Sequence, residues 1–233
     1  MVRQGQCSSR TAKTGEADPG NALRTDELIA ALATNAGPAP TRRGPARITI
    51  ALMGGVSAST LACLTCLGAN PALLTMGTGL AVKLAYVIGV LATTAWWLGR
   101  AGRPGADWRR AASAALVVAA VMAFWAAISV WQAPADARST LLLGQSWTSC
   151  PWRVAVLSVP AWALAMWALS GMAPTRPHLA GFAAGLFAGS VGALGYAIFC
   201  PEVSPAFVSA WYTLGMLIPA FIGALAGPRL LRW

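Results

Sequence analysis

Six apolar runs, each about twenty residues long and separated by short polar gaps, dominate this chain. A bilayer core about 30 Å thick needs roughly 20 apolar residues to cross as a helix. The runs predict spans at Ile48–Leu67, Gly77–Leu98, Ala111–Trp131, Trp152–Gly171, Leu179–Phe199 and Ala206–Ala226. The expected fold class is therefore all-α: a polytopic membrane protein of six transmembrane helices. Charge supports this. Only 10% of residues are charged, against about 25% in soluble proteins. Eleven charges fall in Met1–Arg47 and thirteen in the remaining 186 residues, almost all in the gaps.

Arginine placement sets the expected orientation. Arg42, Arg43, Arg47, Arg100, Arg103, Arg109, Arg110, Arg176, Arg229 and Arg232 would share one side, and only Arg138 and Arg153 the other. The positive-inside rule then puts both termini in the cytoplasm. The net charge of +10 follows from these flanks, and no basic block suggests direct nucleic-acid binding. The first twenty residues lack an apolar signal core, so the first span is expected to serve as its own targeting signal. The organisation expected is a disordered extension over 1–22, a cytoplasmic segment over 23–47, a six-helix membrane domain over 48–227 and a cytoplasmic tail over 228–233.

The cytoplasmic segment predicts one short amphipathic helix over Leu23–Ala36. Thr25 is placed to cap it, and Asp26 and Glu27 fall in its first turn, where the helix dipole favours acids. Leu28, Ile29 and Leu32 form an apolar stripe. A helix this short is marginal alone, and an acidic polar face argues against an anionic membrane surface. A protein partner binding through Asp26, Glu27, Leu28, Ile29 and Leu32 is the better expectation.

Within the spans, Gly181, Gly185, Gly189 and Gly192 fall close to one face, which suits close helix packing in lipid. Lys83 is the only cation well inside a span and is expected to snorkel to the interface. No acidic residue lies deep in a span, so a proton relay or coupled transporter has no candidate parts.

Five cysteines remain. Cys7 lies in the extension, and Cys63 and Cys66 form a C-x-x-C near the end of the first span, a possible second thiol pair. Cys150 and Cys200 fall at the same membrane face although 50 residues apart, and each precedes a proline. At a helix N-terminus and near Arg153, Cys150 is expected to be the more reactive thiol, with Cys200 resolving it. The residues alone leave open a disulfide, a transient soft-metal pair or two ordinary small apolar side chains.

The stretch Phe199-Cys-Pro-Glu-Val-Ser-Pro-Ala-Phe-Val208, followed by Trp211-Tyr-Thr-Leu-Gly-Met-Leu-Ile-Pro219, resembles the NrsF-type membrane anti-sigma factors. So do Leu23-Arg-Thr-Asp-Glu-Leu-Ile29, Lys83-Leu-Ala-Tyr86, Gly102-Arg-Pro-Gly105 and the ending Gly227-Pro-Arg-Leu-Leu-Arg-Trp233. The resemblance runs from Leu23 to Trp233. It implies a regulator, not an enzyme, with no cofactor. Such a protein would hold an extracytoplasmic-function sigma factor at the bacterial inner membrane. It would release that factor on periplasmic heavy-metal or oxidative stress sensed by Cys150 and Cys200. The Cys63/Cys66 pair and the extension Met1–Ala22 depart from the family's pattern. The rival reading is a quinone-linked membrane thiol-disulfide oxidoreductase using both thiol pairs.

Overall fold

A computed structural model describes residues 25–35, 43–172 and 174–231. The extension 1–22, with Cys7, and the last two residues of the tail lie outside the described residues. The chain divides into two units, residues 1–41 and 42–233. The first contains helix α1, Thr25–Asn35, close to the predicted helix. Glu27, Leu28, Ile29 and Leu32 are all exposed on it.

The regular structure of the second unit is entirely helical among the described residues. It comprises α2 (Arg43–Cys66), α3 (Gly77–Ala101), α4 (Arg109–Gln132), α5 (Ala135–Leu143), α6 (Cys150–Leu157), α7 (Val159–Ser170), α8 (Pro177–Tyr196) and α9 (Pro205–Leu230). Five of these, α2, α3, α4, α8 and α9, are long and apolar enough to cross a membrane, and α6 with α7 makes a sixth if the bent pair is one span. Large apolar side chains such as Leu116, Phe124, Trp131, Phe221 and Leu225 stay exposed along these helices. In water they would form an aggregating patch; against lipid they cost nothing.

The fourth predicted span is broken. The α6–α7 pair bends by 44° at Ser158. Pro160 causes it: its ring displaces the carbonyl four residues back and it carries no N–H for the ladder. The Ser158 hydroxyl donates to the Ala155 carbonyl at 2.6 Å, satisfying one acceptor at the break. Helix α5 occupies part of the gap between the third and fourth predicted spans. Pro134 precedes its first turn and Asp136 lies within that turn.

Helix α8 is the centre of the unit, packed by α2, α3, α6, α7 and α9. Its glycines make this possible. A Cβ at Gly181 would collide with the Gly223 carbonyl, and one at Gly185 with the Pro219 carbonyl, both on α9. At Gly189 it would lie 2.7 Å from Met216 Cα. Gly192 turns elsewhere: its Cβ would lie 2.8 Å from Ser158 N, at the α6–α7 bend. Three of the four predicted glycines thus seat α9 and the fourth seats the bend.

Backbone atoms cannot move aside as a flexible side chain can. Gly185→Val is therefore expected to destabilise the protein by about 3 kcal/mol or more. Gly99→Ala, whose Cβ would meet Ile48 Cδ1 at an ordinary 3.5 Å, should be neutral or slightly stabilising. Thermal unfolding of both variants in the same detergent checks the contrast.

Candidate functional site: a buried cysteine junction

Cys150 and Cys200 meet. Cys150 opens α6, with Pro151 in the first turn, where its missing N–H costs nothing. Its own N–H donates to the Ser146 carbonyl at 2.9 Å. Cys200 ends the turn after α8, its N–H on the Tyr196 carbonyl at 3.0 Å, and Pro201 stops any continuation. Both side chains are fully buried, in one apolar cluster. The chain between them is folded back so that two Cys-Pro steps face one another.

The third member is Lys83. Expected at the interface, it is instead wholly buried. Its Nζ donates to the Cys200 carbonyl at 2.8 Å and the Glu202 carbonyl at 3.0 Å. It also lies 5.7 Å from the centre of the Tyr212 ring, within cation–π range. The physical reason for the correction is the loop after Cys200. It covers this part of α3 and offers carbonyl acceptors nearer than interfacial water.

The same loop clasps the α5–α6 connection. Glu202 Oε1 accepts the Gln145 N–H at 2.7 Å. The Ser204 hydroxyl donates to the Leu141 carbonyl at 3.0 Å, and Trp211 Nε1 donates to the Leu142 carbonyl at 2.8 Å. Trp147 packs on Trp211. Gly144 has φ +55°, in the left-handed region, and a Cβ there would meet the Glu202 carboxylate at 2.7 Å. Glycine is required twice over at this position.

Electrostatics act on both thiols. The Cys150 thiol and the nearby Lys83 ammonium hold the Cys200 thiol below the usual thiol range, against the opposing effect of burial. Lys83 and Arg153 also act on Cys150. Arg153 lies over the Phe199 ring, 5.2 Å from its centre. The buried Tyr196 and Tyr212 hydroxyls make no hydrogen bond of ordinary geometry, and Tyr212 lies beside Cys200.

Cys63 and Cys66 have different surroundings. Cys63 is buried in the apolar cluster that contains Cys150 and Cys200, whereas Cys66 is exposed. Among the described residues, no group of three or more His, Cys, Asp or Glu is placed to hold a metal ion. Glu202, the one carboxylate near the thiols, is committed to Gln145. The junction therefore has two sulfur donors, which suits a soft ion of low coordination number better than tetrahedral zinc.

The sequence pairs the cysteines by topology and marks Lys83 as a cation inside a span, but its burial here, the two tyrosines and the clasp lie outside those patterns. The signal for the clasp was present in Glu202 and Ser204, two polar residues between Pro201 and Pro205.

Since both thiols are buried, a reagent reaches them only when the clasp opens. Two of the hydrogen bonds that hold it, those of the Glu202 and Ser204 side chains, contribute about 1 kcal/mol each. The double substitution Glu202→Ala/Ser204→Ala should raise the maleimide labelling rate of Cys200 roughly thirtyfold, read by mass spectrometry of the intact protein. An unchanged rate would mean that the clasp does not gate the site.

The family model for "Negative regulator of sigma F" matches residues 32–233. The chain is 43% identical over 222 residues to the anti-sigma-F factor NrsF of Caulobacter vibrioides, covering 91% of this chain and 100% of that protein. It is 39% identical over 222 residues to the probable anti-sigma-F factor NrsF of Azospira oryzae, with the same coverage. No solved structure matches.

Proposed function

This chain belongs to the NrsF family, the negative regulators of sigma F, and from that premise we propose that it is a membrane-bound anti-sigma factor of the bacterial inner membrane. Its partner is an extracytoplasmic-function sigma factor, held through α1. The observation that carries this reading is the family match together with the exposed stripe of Leu28, Ile29 and Leu32 on a helix that precedes the apolar bundle. The arginine distribution supports cytoplasmic termini, which would put α1 in the compartment of the sigma factor and the cysteine junction on the periplasmic side.

Signalling acts on that junction. In oxidation, both thiols give up their protons, two electrons pass to the oxidant and a Cys150–Cys200 disulfide forms. In metal capture, a soft ion such as cadmium replaces the two protons. Cys200 acts first in either case, because the Cys150 thiol and Lys83 favour its thiolate. Either event links the two sulfurs and changes the loop that Lys83 holds. The signal must bind the two states of the bundle with different free energies, or no population shifts.

Two measurements test the reading. Full-length protein should bind its sigma factor, and Leu28→Asp/Leu32→Asp should weaken binding at least about a hundredfold by removing two buried leucines from the interface. Cadmium should release the sigma factor from the wild type but not from Cys150→Ser or Cys200→Ser. Binding that survives the leucine changes would move the partner surface away from α1. Release that survives both cysteine changes would remove the junction as sensor.

A further inference from the structure

At the end of the bundle opposite the cysteines, two cavities adjoin. One, of about 240 Å³, is lined by Arg100, Arg103 and Arg176 with Gly105, Thr175 and Trp108. The other, of about 370 Å³, is almost wholly apolar and lies among α3, α4, α8 and α9, with walls that include Tyr86, Trp97, Leu116, Phe182 and again Trp108. Trp108 is thus the shared wall between a basic pocket and an apolar one.

The basic pocket is built to attract an anion. Three arginines line it and no acidic residue does. The one carboxylate of this gap, Asp107, is engaged: Oδ1 accepts the Arg109 N–H at 3.0 Å, and Oδ2 lies 3.7 Å from Arg110 Nε. Trp108 and Arg176 are the residues immediately before α4 and α8, so the positive ends of two helix dipoles converge here as well.

The apolar cavity has the dimensions of a lipid chain. Tyr86 and Trp97 are eleven residues apart on α3, about 16 Å at the helical rise, which is close to the depth of one hydrocarbon leaflet. Exposed Leu116 puts one wall on the lipid-facing surface, so a chain can enter sideways. The upper wall carries an unpaired donor: Trp97 is buried, stacked on Trp108 with centroids 6.0 Å apart, and its indole Nε1 has no hydrogen-bond partner. An ester carbonyl of a glycerolipid would supply the missing acceptor between headgroup and chain.

We propose that this end of the bundle holds one anionic phospholipid, with its phosphate among Arg100, Arg103 and Arg176 and one acyl chain in the cavity beside Trp97. Basic pockets between membrane helices are suited to such headgroups. Tyr86 and Met216 belong to the apolar cluster that also holds Cys150 and Cys200, so the deep end of the cavity approaches the junction; the pocket of Arg100, Arg103 and Arg176 shares no residue with that cluster, and the lipid reading does not rest on the anti-sigma reading.

The test uses the full-length protein in phosphatidylcholine nanodiscs containing increasing phosphatidylglycerol, with retained lipid counted by native mass spectrometry. The wild type should retain one phosphatidylglycerol. Arg103→Gln/Arg176→Gln should weaken its apparent affinity about thirtyfold. Ala115→Phe, or Ala119→Leu should that variant not fold, fills the cavity and should reduce retention. Its thermal midpoint in pure phosphatidylcholine should match that of the wild type. Inorganic phosphate alone should not stabilise the protein in phosphatidylcholine. Equal retention by the wild type and the variants would show diffuse attraction and overturn the proposal. So would retention of phosphatidylcholine as readily as phosphatidylglycerol, or full stabilisation by phosphate alone, which would identify an anion pocket without a lipid.

Discussion

The approach of α9 to α8 governs the bundle. Lipid tails are as apolar as leucine, so helices in a membrane gain little by hiding apolar surface from one another. They associate through close packing and polar contacts. Glycine at 181, 185 and 189 brings the α9 backbone against α8, and everything at the cysteine end is positioned from that pair. Cys200 follows the end of α8, Tyr212 stands near the start of α9, and the loop between them carries Glu202 and Ser204. A wider α8–α9 spacing would separate these groups from Lys83 and leave its ammonium without acceptors.

Lys83 is the second constraint. A buried ammonium is expensive in a bilayer and tolerable only when its donors are used. Two backbone carbonyls and an aromatic face use them. Both carbonyls belong to the Cys-Pro-Glu step, where the prolines leave the backbone non-helical and its carbonyls free to turn toward α3. The cation therefore does two things from one position: it fixes the loop and favours a thiolate at Cys200.

Much of this was legible in the sequence, for identifiable reasons. The spans follow from run length, and four predicted glycines pack where small residues were expected, because both signals depend on local composition. Lys83 was misread because snorkelling considers a single helix and its nearest interface. Its actual partners lie 117 and 119 residues away, beyond any local pattern. The bend at Ser158 was hidden inside a run of suitable length, although Pro160 marked it. Asp26 and Glu27 fall within α1 as expected, and the exposed Leu28, Ile29 and Leu32 retain the stripe inferred from spacing. The packing of Lys83 against the loop after Cys200 lies outside the helix-end argument that favours Cys150.

The bend gives the proposed signalling a physical route through the second unit. Cys150 is the first residue of α6, and α6 ends at Ser158, the residue that Gly192 of α8 touches. Helix α7 continues from there and packs on α2. A change at the thiols alters the attachment of α6 at one end while the α8 contact holds the other. The break at Ser158, already missing a backbone donor at Pro160, is where such a change in angle costs least. Movement of α7 bears directly on α2, and α2 is joined to α1 through residues 36–42. Unbroken helices through the junction would resist the same displacement along their whole ladder of hydrogen bonds. The interrupted fourth span is therefore the element whose two arrangements a disulfide or a bound ion at Cys150 and Cys200 is best placed to separate.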